Sequence, residues 1–165
     1  MNVGKWIMTT IVVAGSMAAM AEEDGSTLVA PQAAEAGVER CLTQWELIGR
    51  FVEQGTSQVG AHIVYHSTEP DDRMARMAVE EAFPSRSVLA LISVSPNSAG
   101  SCDATLSRIT WTEQSCLEVA MEQGAGAFEG ALSRNIVRLS GNMSRYLMPA
   151  GEGCVMVNFE QTFGQ

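Results

Sequence analysis

Four cysteines, Cys41, Cys102, Cys116 and Cys154, constrain this chain more than any other feature. No two have the CxxC spacing of a redox motif or a zinc knuckle, so the even number points to two disulfides. Four cysteines allow three pairings. The spacing favours Cys102–Cys116, closing a short loop, and Cys41–Cys154, tying the first helix to the last strand. In the chain-entropy picture a short bridge contributes roughly 3 kcal/mol and a long one up to roughly 5.

Disulfides persist in oxidising compartments, and the N-terminus offers a route to one. Lys5 is the only charge in the first 21 residues, Trp6 to Ala14 is apolar, and Ala19-Met20-Ala21 has the form of a cleavage site. These are the three parts of a cleavable signal peptide over residues 1–21. A spanning helix needs about 20 mostly apolar residues, and Thr9, Thr10, Gly15 and Ser16 interrupt this stretch. A periplasmic or secreted protein without stable membrane insertion is expected after cleavage.

Cleavage leaves 144 residues with 9 arginines against 19 acids, a net charge of −10, and no lysine. A domain of that size buries about 68% of its unfolded surface and can fold on its own core. Its acidity disfavours nucleic acid, whose binding rests on positive charge meeting phosphate. It favours a cationic protein partner.

Residues 22–32 are polar and read as a loose N-terminal arm, and residues 33–165 as one domain. From Ala33 to Gln54, Val38, Leu42, Trp45, Ile48 and Val52 fall at helical steps, and Gly55 marks a stop. Val59 to Ser67 is rich in β-branched and aromatic residues and reads as a strand. Pro70 to Phe83 reads as a short helix with Met74, Met77, Ala78 and Ala82 as its stripe. Ser87–Ser95 and Thr105–Thr112 read as a hairpin about the turn at residues 96–100. Leu117 and Met121 open a helix that glycines weaken near Gln123. Short strands are expected at Asn135–Ser140, Tyr146–Met148 and Cys154–Phe163. In the last, Val155, Val157, Phe159 and Phe163 face one way and Met156, Asn158, Glu160 and Thr162 the other. The expected fold is α+β: an antiparallel sheet of about five strands with two or three helices packed mainly on one face.

No catalytic residue stands out. His62 and His66 are the only histidines, and on a strand four residues span about 13 Å, so the pair predicts no metal site. There is no GxSxG, and all four thiols are assigned to bridges. Asp71-Asp72, Glu80-Glu81 and Glu113 with Glu118 are candidate carboxylate pairs for glycoside hydrolysis, though adjacent acids more often mark a solvated face. Gly124-Ala125-Gly126 lacks the rest of a phosphate loop. No cofactor is implied. Trp45, Met74, Met77 and Trp111 are candidates for an interface, with a core role as the alternative. The expectation is an exported, acidic, non-enzymatic binding protein that caps a cationic envelope enzyme or toxin as an inhibitor, immunity or accessory protein. An envelope-polymer hydrolase and a structural subunit of an envelope assembly are the competing readings.

Overall fold

The computed structural model describes residues 28–122, 128–132, 134–140 and 143–162. The expected signal peptide, the start of the arm and the stretch 124–126 lie outside the described residues. The chain runs α1 (Val29–Glu35), α2 (Leu42–Glu53), β1 (Gln58–Val64), β2 (Ala75–Phe83), β3 (Arg86–Pro96) and β4 (Cys102–Thr112). It continues through α3 (Cys116–Glu122), β5 (Phe128–Ala131), β6 (Val137–Leu139), β7 (Ser144–Ala150) and β8 (Gly153–Thr162). No helix among the described residues is long and apolar enough to cross a membrane.

The α+β class holds, but the described residues form eight strands rather than about five. All eight form one sheet in the order β1-β2-β3-β4-β8-β7-β6-β5, and every pairing is antiparallel. The expected hairpin is β3 with β4. β2 corrects the helix expected over Pro70–Phe83. Its buried residues are Ala75, Met77, Val79 and Glu81, a period of two. A buried carboxylate at Glu81 hides that alternation from a reading of apolar residues alone, and pairing with β1 and β3 decides the conformation.

The helix expected from Ala33 is two helices, the first starting inside the expected arm. Val29 is fully buried. Leu28 and Val29 donate their backbone N–H groups to Glu53 Oε1 at 2.7 and 3.0 Å. A side chain from the end of α2 thus satisfies the first turn of α1. Gly37 ends α1 with φ of 79°. Its N–H bonds Ala34 O at 2.9 Å, and Val38 N–H bonds Ala33 O at 3.0 Å. These are the paired closing bonds of a Schellman cap, which glycine adopts without strain.

Strand register assigns the sheet two faces. One carries Val59, Ala61 and Ile63, then Met77 and Val79, then Ala90, Ile92 and Val94, then Ala104 and Leu106. α1 and α2 cover this half through Val29, Ala33, Trp45, Ile48 and Val52. The same face continues as Cys154 and Met156, Leu147, Val137 and Leu139. There α3 covers it through Val119. Among the described residues all three helices therefore lie on one face, and none covers the other.

The two disulfides are Cys41–Cys102 and Cys116–Cys154, so both favoured pairings are wrong. Cys102 begins β4 and Cys116 follows its far end. An 11-residue strand holds them about 30 Å apart. Cys102 meets Cys41 at the start of α2, while Cys154, opposite Thr112 in the register, meets Cys116.

Candidate functional site

The open face carries an ordered block of exposed apolar side chains. Trp111, Val155 and Met148 stand side by side across β4, β8 and β7. The next row is Leu89, Ile109, Val157 and Tyr146. The third row brings Leu91 and Phe159 to either side of Ser107. Leu89, Leu91, Trp111, Met148 and Phe159 are each at least 40% exposed. Tyr146 and Phe159 meet edge to face at 5.5 Å. For residues 154–160 the two sides of β8 follow the expected alternation, Phe163 lies outside the described residues, and the side carrying Val155, Val157 and Phe159 faces away from the helices. A contiguous apolar patch of this kind on a folded protein marks an interaction surface. Acids border it: Glu80 stands beside Leu89 in the register, Glu113 follows β4, and Glu152 lies in the β7–β8 turn.

Trp111 is 56% exposed at the edge of this block yet held in place. Its ring lies against the backbone of Gly153, where a Cβ would come within 2.8 Å of Nε1. The same Cβ would run into the carbonyl oxygen of Thr112. Only glycine permits this approach.

The helical face carries a second feature. α1 and α2 together pack over β1–β4, and α3 packs on β7 and β8. A cleft of about 420 Å³ is lined by Phe51 and Gln54 of α2 and its end, and by Glu81, Arg86, Arg108, Arg145 and Asn158 among the strand residues. Arg108 donates from Nε to Glu81 Oε1 at 2.9 Å and from Nη2 to Phe51 O at 3.1 Å. Its guanidinium lies 4.4 Å from the Phe51 ring centroid. One side chain thus ties β2, β4 and α2 together. Burial pushes the Glu81 carboxyl above its ordinary range, and the hydrogen bond and charge of Arg108 offset that only in part. Arg145 Nε donates to Asn158 Oδ1 at 2.6 Å, and Arg86 stacks 5.2 Å from the centroid of Phe83.

Of the candidate interface residues, the structure places Trp111 in the open-face patch and Met74 exposed in the approach to β2. Trp45 and Met77 are buried in the core and offer no surface. Glu80 and Glu81 point to opposite faces, as neighbours on a strand must. Asp71 accepts the N–H of Arg40 at 2.6 Å, and Asp72 pairs with the Arg40 guanidinium at 3.4 Å. Glu118 makes reciprocal bonds with Ser115, accepting its N–H at 2.8 Å while donating its own N–H to Ser115 Oγ at 3.3 Å. The Ser115 hydroxyl, donating to Glu118 Oε2 at 2.8 Å, and then the Ser115 N–H hold the Glu118 carboxyl below its ordinary range. Ser115-x-x-Glu118 is a capping-box pattern, legible in the sequence and overlooked there. His66 Nδ1 accepts the N–H of Glu69 at 3.1 Å, a turn contact. No group of three metal-ligating side chains converges among the described residues.

No protein-family model matches this chain, and comparison with curated proteins and with solved structures finds no match either.

Proposed function

We propose that this chain is an exported, disulfide-stapled binding protein that docks its open sheet face onto a basic protein partner. The uncovered apolar block around Trp111, Ile109 and Val157 carries this reading. Its composition suits an interface core, with a tryptophan and a tyrosine among aliphatic side chains. The bordering Glu80, Glu113 and Glu152, on a chain of net charge −9, favour a partner whose apolar patch is ringed by Lys and Arg. Two disulfides suit folding in an oxidising space. Capping a cationic enzyme or toxin is the role this surface fits.

Photo-crosslinking tests the docking face. A photoreactive residue at position 109 lies on the open face, and one at position 46 lies on α2. Exposed to exported proteins of the source cells, position 109 captures a basic protein and position 46 does not. Trp111→Ala weakens the capture by roughly thirtyfold, the scale of a central aromatic anchor, and high salt weakens it further. The reading fails if both positions give the same products, if neither gives any, or if the only product is a second copy of this chain.

A further inference from the structure

The cleft beside the end of α2 is not used by the docking face, which lies on the other side of the sheet. Its electrostatics run against the rest of the chain. The molecule carries a net charge of −9, yet three guanidinium groups and a single carboxylate line this cleft. Glu81 is committed to Arg108. Arg86 and Arg145 meet no carboxylate within ion-pair distance among the described residues. Glu160, on the same face of β8 one row away, is not part of the lining.

Register sets the arrangement. Arg108, Asn158 and Arg145 occupy one row across β4, β8 and β7. Adjacent strands lie about 4.8 Å apart, so the two arginines rise about 10 Å from each other on either side of Asn158. Arg145 is oriented by its bond to Asn158 and Arg108 by Glu81 and Phe51. Arg86 enters from the start of β3. Phe51, Phe83, Val88 and Met156 supply apolar wall, and Gln54 and Thr110 complete the lining. A site with fixed guanidinium groups above an apolar wall recognises an anionic head on an apolar body. The planar fork matches both carboxylate and phosphate oxygens. The volume, about 420 Å³, suits a small organic molecule.

We propose that this cleft binds a small organic anion, its carboxylate or phosphate held by Arg145, its apolar body against Phe51 and Met156, and Arg86 adding positive charge from the far side of the cleft. Binding here and docking on the open face involve opposite sides of the sheet, so either can fail without the other.

Titration calorimetry on the full chain at low salt is the test, with phenyl phosphate, benzoate, inorganic phosphate and benzylamine as probes. Phenyl phosphate or benzoate is expected to bind once per chain, and which of the two binds tighter identifies the head group. Arg145→Gln is expected to weaken that binding roughly tenfold, the loss of a charge-assisted contact, and Arg86→Gln roughly threefold, the loss of a nearby charge. Arg86 is exposed and carries no structural hydrogen bond, so its variant stays informative if Arg145→Gln loosens the sheet. Arg76→Gln, on the open face, leaves binding unchanged. The proposal is overturned if neither organic anion binds, if inorganic phosphate or benzylamine binds as tightly, or if Arg76→Gln weakens binding as much as Arg86→Gln.

Discussion

Gly153 and Glu81 are single residues on which opposite faces of the sheet depend. At Gly153 a methyl group would press on the Thr112 carbonyl and the Trp111 indole together. The carbonyl is backbone and cannot swing aside, so Gly153→Ala is expected to cost about 1–3 kcal/mol in urea unfolding. It should also move the Trp111 indole N–H resonance, because the ring must leave its seat. An unshifted resonance would mean that the glycine does not set the ring. At Glu81 the sign follows from burial. Its carboxyl is 1% exposed and titrates above its ordinary range. The folded state therefore holds the proton more tightly than the unfolded chain, and Glu81's contribution to stability falls as pH rises above the ordinary carboxylate range. Glu81→Gln cannot ionise and still offers an oxygen to Arg108. Its stability relative to the parent is expected to improve between about pH 4 and about pH 7. Glu53 and Glu118 also titrate away from their ordinary values, but both are present in the two proteins and cancel in the comparison. A relative stability that worsens over that range contradicts the assignment.

Elements differ in how far they depend on partners elsewhere in the chain. α3 has seven residues, exposes Leu117 and Met121, and buries only Val119. A helix that short is not stable alone, so the Cys116–Cys154 bridge holds it to β8 and the Ser115–Glu118 box caps its first turn. The loops closed by the two bridges span 61 and 38 residues, which corresponds to about 4 kcal/mol each in the chain-entropy picture. Cys116→Ser with Cys154→Ser is expected to release α3 selectively, with faster amide exchange there and little change in β2 and β3. Cys41→Ser with Cys102→Ser should instead loosen the start of α2. Equal exchange in α3 for both double variants would show that the bridge does not anchor it. The same dependence explains what the sequence displays. α2 and the β3–β4 hairpin are local patterns, a helical stripe and two strands about a turn, and they are legible. β2 is not, because its identity rests on neighbours and on a buried acid. The bridges are misread because loop length ignores the strand lying between Cys102 and Cys116. The cleft leaves no local trace: Arg86, Arg108 and Arg145 come from three separate strands, and only the β3-β4-β8-β7 order brings them to one place. The open-face patch is half legible, since alternation in β8 shows two sides without showing which one the helices cover.

At the scale of the molecule, the described residues form a sheet covered on one face, and that asymmetry sets how it meets its surroundings. Leu91 and Ile92 are neighbours in β3 with opposite fates, 40% and 1% exposed. Ile92→Asp buries an unpaired charge under α2 and is expected to unfold the protein. Leu91→Asp places the same charge on the open face and should change stability by less than about 1 kcal/mol. The bare apolar block is also a surface on which two copies could meet, and the net charge of −9 opposes that encounter. At about 1 M salt the screening length falls to about 3 Å, and the repulsion is lost while apolar contact is not. Sedimentation should therefore show single chains at low salt and weak association at high salt. Leu91→Asp should abolish that association, while Arg50→Asp on α2 leaves it intact. If association at high salt survives Leu91→Asp and is lost with Arg50→Asp, copies meet through the helices, and the open face is not the adhesive side of this molecule.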